Sequence, residues 1–234
     1  MILFLILLNS TIDSLKEQLK ESNEFELVLK INNLYLAENK SDSANLFLRE
    51  CEKKLCPSYH PLINFLIGEN LFFAGRILEA RESYLLTASR FTSHEIANDA
   101  LERLYLIENA RGDTANLKRL ARAILFIEID KTKDARDSLR ELINTRVGGY
   151  ALYYLGLVNF NEDQFDLALK FLMQLDRDFI EHKFPRAKIL QARVLIKMGR
   201  KKEAREVLEE LIIKDPASVY AIMAREILEK ERIP

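Results

Sequence analysis

The sequence has few residues that interrupt helices, because only 7 of its 234 residues are glycine and only 5 are proline. Pro57, Pro61, Pro185 and Pro216 lie between apolar segments, and the fifth proline is the last residue. β-Branched runs are short, and no Asn-Gly or Asp-Gly turn separates alternating apolar segments. These absences exclude a β-rich fold, and the sequence predicts an all-α protein.

The sequence also lacks an excess of charge of either sign. It contains 35 Lys and Arg residues against 36 Asp and Glu residues, for a net charge of -1. The most basic region, residues 111–146, also contains six acidic residues, so we expect no nucleic-acid partner. With 48% hydrophobic residues, the chain is long and apolar enough to bury a sizeable core.

Residues that carry chemistry are scarce. The two cysteines, Cys51 and Cys56, match neither a redox pair nor a zinc site, and we expect a buried thiol at Cys51. A local disulfide is the alternative in an exported protein, although a regular helix holds the two Cα atoms too far apart. His60, His94 and His182 fall in or beside connections, and no metalloprotease, P-loop or dinucleotide motif is present. The sequence therefore predicts no catalytic residue, no metal site, no cofactor and no enzyme.

The longest apolar run is the first eight residues, Met1–Leu8. It is too short for a transmembrane helix, which needs about 20 residues, so we expect no transmembrane span. The run suits the apolar region of a secretory signal, although no Lys or Arg precedes it and Leu8-Asn9-Ser10 is a poor cleavage site. The alternative is a helix that continues through Leu15 and Leu19 and packs on the next element. Both interpretations of residues 1–24 stay open.

Apolar residues at helical spacing predict paired helices over residues 25–216. A further helix at about 94–110 is extra to this pattern, and we expect one apolar face on it: Ile96, Ala97, Ala100, Leu101, Leu104 and Ile107. Residues 217–234 form one more helix with one apolar face and one polar face, as a terminal cap requires. We expect the pairs to be helical hairpins at 25–55, 62–91, 117–144, 150–175 and 185–216.

The five predicted hairpins share one register. A small residue begins each return helix, at separations of 36, 55, 33 and 36 residues: Ala44, Ala80, Ala135, Ala168 and Ala204. A bulky residue follows each of them by four positions: Leu48, Tyr84, Leu139, Leu172 and Leu208. The small residue lets the two helices approach closely, and the bulky residue fills the groove behind it.

This pattern resembles the tetratricopeptide repeat, whose period is about 34 residues. Ile67-Gly68 and Leu155-Gly156 match its Leu-Gly pair, Gly75 and Gly199 its turn glycine, and Pro216 its closing proline. Two turns depart from the family pattern, because aspartate stands at the glycine position. The resemblance implies a right-handed α-solenoid of about five hairpins, with the extra helix and a C-terminal cap, that serves as a scaffold for protein binding.

A weaker resemblance concerns the joints between hairpins. Residues 90–101 and 214–221 are similar to the joints of tetratricopeptide-repeat proteins that act in bacterial envelope assembly. Together with the possible signal sequence at residues 1–8, this similarity indicates a periplasmic or otherwise exported protein. A cytoplasmic protein is the alternative.

In this family the first helix of each hairpin lines the concave surface, which implies an apolar and aromatic groove for a partner peptide or helix. The alternatives are a groove filled from within, by tight winding, the extra helix or residues 1–8, and a groove that binds a second copy of the chain. The resemblance assigns the following residues to the partner-binding face: Phe65, Glu69, Phe72, Phe73, Ile124, Tyr153, Tyr154, Leu157, Phe160, Arg193 and Lys197.

Overall fold

The structure, a computed structural model, describes residues 2–22, 24–55, 57–179 and 184–231, with side chains from residue 11 onward. Met1, Cys56 and His182 lie outside the described residues. Within the described residues the chain forms helices and no strand, which confirms the all-α prediction. The helices are α1 Ile2–Ser22, α2 Phe25–Ala37, α3 Ser41–Lys54, α4 His60–Phe73, α5 Ile77–Arg90, α6 Ile96–Asn109, α7 Thr114–Glu128, α8 Thr132–Arg140, α9 Gly148–Asn161, α10 Phe165–Asp178, α11 Pro185–Lys197, α12 Lys201–Lys214 and α13 Val219–Lys230, with a 3-10 turn at Pro57–Tyr59.

The chain divides into two compact units, an N-terminal unit at Met1–Ala135 and a C-terminal unit at Arg136–Pro234, with the boundary inside α8. In the N-terminal unit each of the helices from α1 to α5 packs against the next one along the chain. In the C-terminal unit α9, α10, α11, α12 and α13 do the same. In both units most helices thus pack in sequence order, while α7 packs on α4.

The five hairpin turns have the same backbone conformation. Each contains one residue with positive φ, five positions before the small residue that begins the return helix: Asn39 (58°), Gly75 (72°), Asp130 (57°), Asp163 (58°) and Gly199 (75°). The next residue donates its N–H to the carbonyl five positions earlier, as in Lys40 to Tyr35 at 2.9 Å and Arg200 to Leu195 at 2.9 Å. This bond closes the helix end in a left-handed cap, for which glycine, asparagine and aspartate are the best suited residues. The repeated geometry confirms the turns expected at Gly75, Asp130, Asp163 and Gly199, whereas the first turn, expected at residues 40–42, lies at Asn39 because α3 already begins at Ser41.

The packing inside each hairpin follows the predicted register. The five small residues are all 0% exposed, and the five bulky residues that follow them are at most 1% exposed. Two glycines of the first helices face these bulky residues. A methyl group at Gly68 would lie 2.8 Å from the ring of Tyr84, and one at Gly156 would lie 2.9 Å from Cγ of Leu172. Glycine therefore allows a closer approach of the two helices than alanine would.

The first helix packs on the second through Ile12, Leu15 and Leu19, which belong to the same buried cluster as Val28 and Ile31. Residues 2–8 continue the same helix at its N-terminal end. Among the described residues, no helix is long and apolar enough to cross a membrane.

The extra helix is α6, which packs against α5. Its buried residues include Ile96, Ala97 and Ala100, as expected, but Leu101 is exposed and Leu106 is buried. The prediction for Leu101 was wrong because the face that contacts the neighbouring helices runs through Ala100 and Leu106. The terminal helix α13 has the predicted two faces, and Ser218 caps its start by accepting a hydrogen bond from the N–H of Ala221 at 3.1 Å.

Candidate functional site

The N-terminal unit contains five of the residues that the resemblance assigns to a partner. Phe72 and Ile124 are at most 1% exposed, and Glu69 and Phe73 are also buried. Phe65 is half-buried, and its ring lies 5.7 Å from that of Tyr84. Burial leaves all of these side chains except Phe65 little or no exposed area for contact with a partner.

The seventh helix contacts the first helices of the first two hairpins. α7 packs along α4, and its end reaches α2, where Nδ2 of Asn33 donates to the carbonyl of Glu128 at 3.3 Å. Arg122 donates to Oδ1 of Asn39, in the turn after α2, at 2.6 Å. The seventh helix therefore contacts both α2 and α4, and the extra helix α6 also contacts α4.

The carboxylate of Glu69 is bound by side chains of the N-terminal unit itself. Arg103 of α6 binds both of its carboxylate oxygens, with N–O distances of 2.7 and 2.6 Å, and the hydroxyl of Tyr84 donates to the same carboxylate. The Arg103 guanidinium also lies 5.7 Å from the centre of the Phe72 ring. A buried carboxylate with two donors is satisfied by its own fold and has no need of a partner.

The C-terminal unit presents a different inner face, formed by α9, α11 and α13. Tyr153, Leu157 and Phe160 are half-buried and recur at helical spacing along α9. Tyr154 is buried, and its ring packs edge-on against that of Tyr153 at 5.0 Å. Because the three half-buried residues sit at the margin of the core, their outer atoms remain accessible.

A cleft of about 340 Å³ opens on this inner face, where α9, α11 and α13 come together. Half-buried apolar side chains from all three helices, Phe160, Ile196 and Ile227, contribute to its lining. The cleft brings together Phe160, Arg193 and Lys197 of the predicted residues. We name it the cation cleft and define it by its lining residues: Phe160, Arg193, Ile196, Lys197, Glu226, Ile227, Lys230 and Glu231.

The three cations of the cleft, Arg193, Lys197 and Lys230, form no ion pair with any of the described residues. Other cations of this unit form ion pairs within the fold. The hydrogen bond from Arg200, for example, lowers the pKa of Glu203. The unpaired charges are thus concentrated beside an apolar floor.

Sequence reasoning missed five lining residues, although the repeat period could have found two of them: Ile196, Glu226, Ile227, Lys230 and Glu231. Ile227 lies 34 residues after Arg193, and Glu231 lies 34 residues after Lys197. Carrying the frame of the fifth hairpin onto α13 would have placed them on the inner face. The sequence analysis predicted α13 only as a terminal cap, and therefore assigned none of its residues to the partner-binding face.

No arrangement typical of catalysis accompanies the cleft. Among the described residues, no group of three or more His, Cys, Asp or Glu side chains could hold a metal ion. Of the histidines, His60 and His94 lie in the N-terminal unit. The cation cleft thus offers charge and apolar area, which are features of a binding surface.

Residues 187–218, which include most of α11 and all of α12, match the family described as Tetratricopeptide repeat. No curated protein matches the chain.

Among solved structures, the chain is similar to YrrB, described as a TPR protein with an unusual peptide-binding site. The two share 15% identity over 91% of this chain and 97% of that one, with a TM-score of 0.43. It is also similar to the TPR2AB domain of yeast Sti1 in a pHSP90 complex, at 14% identity over 95% and 90% of the two chains, with a TM-score of 0.44. A third similar structure is Acl4, the assembly chaperone of RpL4, at 17% identity, 88% and 97% coverage and a TM-score of 0.36.

Proposed function

This chain is a tetratricopeptide-repeat protein, and on that premise we propose that it is a non-catalytic scaffold that binds a segment of a partner protein on the inner face of its C-terminal unit. Proteins of this family are generally interaction modules without catalytic activity. The observation that carries the proposal is the cation cleft, an accessible concavity with apolar and charged lining inside the unit that holds the matched repeat.

The contrast between the two units supports this choice of surface. In the N-terminal unit Phe72 of α4 is 0% exposed and packs against Tyr84 of α5 and Arg103 of α6. In the C-terminal unit Tyr153, Leu157 and Phe160 are only partly buried. A partner segment can gain apolar burial on the second surface without displacing a helix of the protein itself.

Site-specific photocrosslinking in the cells that produce the protein tests the proposal. A benzophenone amino acid replaces Lys197, which is exposed and lines the cation cleft. The matched control places the same amino acid at Lys202, which is also exposed but belongs to α12 and does not line the cleft. We expect a crosslinked partner at position 197 and none, or a different one, at position 202.

Equal crosslinking at the two positions, or none at position 197, would contradict the proposal. The mass of the crosslinked product also addresses the alternative of self-association. A product at twice the mass of the chain, whose fragments all come from this sequence, would identify the partner as a second copy.

The place of the scaffold in the cell is a separate part of the proposal. We propose a periplasmic or otherwise exported protein with a role in bacterial envelope assembly, supported by the joint sequences at 90–101 and 214–221 and the apolar run at 1–8. Fractionation of the native cells tests this part. Recovery of the full-length chain in the cytosol alone would contradict it and would leave the proposed binding surface unaffected.

A further inference from the structure

The charges of the cation cleft identify the chemistry of the partner. We infer that the bound segment is acidic and carries at least one apolar side chain, with its carboxylates placed over α11 and its apolar side chain on the floor between Phe160, Ile196 and Ile227. This inference rests on the proposed function, because it specifies what occupies the same surface.

The first argument is the arrangement of positive charge on α11. Arg193 and Lys197 are separated by four residues, so they are neighbours on one helix face, and both are exposed. Like charges at this spacing destabilise a helix, and no acidic side chain of the described residues forms an ion pair with either one. The pair therefore costs stability in the free protein, and a bound carboxylate would remove that cost.

The paired cations on the return helix α12 make this arrangement unusual within the same hairpin. There Arg205 binds Glu209 at 2.7 Å, and Lys214 binds Glu210 at 2.6 Å, each four residues apart. These two cations of the return helix thus have a bonded carboxylate, whereas Arg193 and Lys197 have none among the described residues. A need for stability alone would favour the same compensation on both helices.

The second argument is the floor of the cleft. Its apolar side chains come from three helices, and the cleft volume of about 340 Å³ is at the small end of the range for ligand pockets. A cleft of this size accepts a few side chains of an extended or helical segment. Apolar burial supplies affinity, while the surrounding charges set orientation and association rate.

The two carboxylates of the cleft restrict the orientation of the segment. Glu226 and Glu231 line the side formed by α13 and the residue that follows it. With Lys230 as the one cation among the described lining residues of that side, its net charge is negative and repels acidic groups, whereas α11 attracts them. The acidic residues of the partner are therefore expected over Arg193 and Lys197, and this asymmetry distinguishes the two directions of binding.

Selection of peptides from a displayed random library tests the inference. The full-length protein is the target, and the cleft variant Arg193→Gln, Lys197→Gln, Lys230→Gln removes the three cations. The control variant Lys170→Gln, Lys202→Gln, Arg225→Gln removes the same charge from exposed positions outside the cleft. Circular dichroism and the melting temperature establish that both variants remain folded.

We expect the natural protein and the control variant to select peptides in which Asp or Glu accompanies an apolar residue. The synthetic form of a selected peptide should bind the cleft variant at least tenfold more weakly, and the control variant within about twofold of the natural protein. Amidation of the peptide C-terminus, compared with Asp→Asn and Glu→Gln exchange, distinguishes a terminal carboxylate from side-chain carboxylates.

Selection of neutral or basic peptides would overturn the inference, as would equal weakening by the control variant. A further variant, Ile227→Ala, separates this failure from failure of the proposed function. If neutral peptides are selected and Ile227→Ala weakens their binding, the proposed binding surface is supported and only the inference of an acidic partner is wrong. If no peptide is selected, or selected peptides bind all variants equally, both proposals fail.

Discussion

Replacement of Gly156 by alanine tests the packing of the hairpin that adjoins the cation cleft. Gly156 lies inside α9, and a methyl group there would be 2.9 Å from Cγ and 3.0 Å from Cδ2 of Leu172 on α10. Leu172 is 1% exposed, so its branched end has little free space into which it can move. The substitution therefore overpacks the contact between the two helices.

Two opposing contributions determine how much Gly156→Ala changes the free energy of unfolding. Overpacking of a dense core costs about 1–3 kcal/mol, whereas alanine in a helix interior is more favourable than glycine by about 1 kcal/mol. The net change for Gly156→Ala is then a loss of about 1 kcal/mol. In a protein that already carries Leu172→Ala, which itself costs about 2–5 kcal/mol, the clash is absent and the same substitution should stabilise by up to about 1 kcal/mol.

Urea titrations followed by circular dichroism on the four members of this cycle measure the effect. The change of sign between the two backgrounds is the expected result. If Gly156→Ala stabilises the natural protein as much as the Leu172→Ala variant, the two residues do not abut and the register of the hairpin is wrong.

Three further predictions concern the interior, a turn and a thiol. Arg103→Ala should cost about 3–5 kcal/mol in the urea midpoint analysis, because the buried Glu69 carboxylate loses its counter-ion; a loss below about 1 kcal/mol would contradict the pairing. Asp163→Gly should stabilise by up to about 1 kcal/mol, because the φ of 58° favours a residue without Cβ, and a lower melting temperature would refute this. In a Cys56→Ser protein, Cys51 should react with a thiol reagent only on unfolding, since burial raises its pKa from 9.0 to about 11. Because the unfolded thiol loses its proton first, stability should fall as the pH rises from about 9 to about 11, and Cys51→Ala should remove this fall.

Much of the fold follows from local patterns in the sequence. The turns could be predicted because a left-handed cap accepts few residue types, and the sequence has glycine, asparagine or aspartate at each of the five positions. The small residues that begin the return helices could be predicted because close helix pairing requires them. Both signals involve residues close in the chain, and for this reason composition and spacing are sufficient to reveal them.

The accessible surface could not be predicted in the same way. Phe72 on α4 and Phe160 on α9 both belong to the apolar stripe of a first helix, yet Phe72 is fully buried and Phe160 is half-buried. Phe72 packs against Tyr84 of α5 and Arg103 of α6, whereas Phe160 lines the cation cleft. A contact of this kind joins residues far apart in sequence and leaves the periodicity of either helix unchanged.

The charge of the cation cleft could be predicted from the sequence only in part. Arg193 and Lys197 were predicted on the inner face, but that their charges are unpaired depends on the side-chain positions of the neighbouring helices. Sequence alone shows many acidic residues nearby, including Glu203, Glu206 and Glu209, any of which could in principle pair with them. The structure places all three acidic residues on α12, where Arg200 and Arg205 bind Glu203 and Glu209.

Methyl NMR of the isoleucine side chains tests the central claim most directly. Ile196 and Ile227 line the cation cleft, whereas Ile213 and Ile222 are exposed outside it, at 77% and 50%, and serve as controls in the same spectrum. On titration with the peptide selected above, we predict that the signals of Ile196 and Ile227 shift and saturate together while those of Ile213 and Ile222 stay in place. Shifts confined to the control residues, or an unchanged spectrum for the two cleft residues, would contradict the assignment of the binding surface.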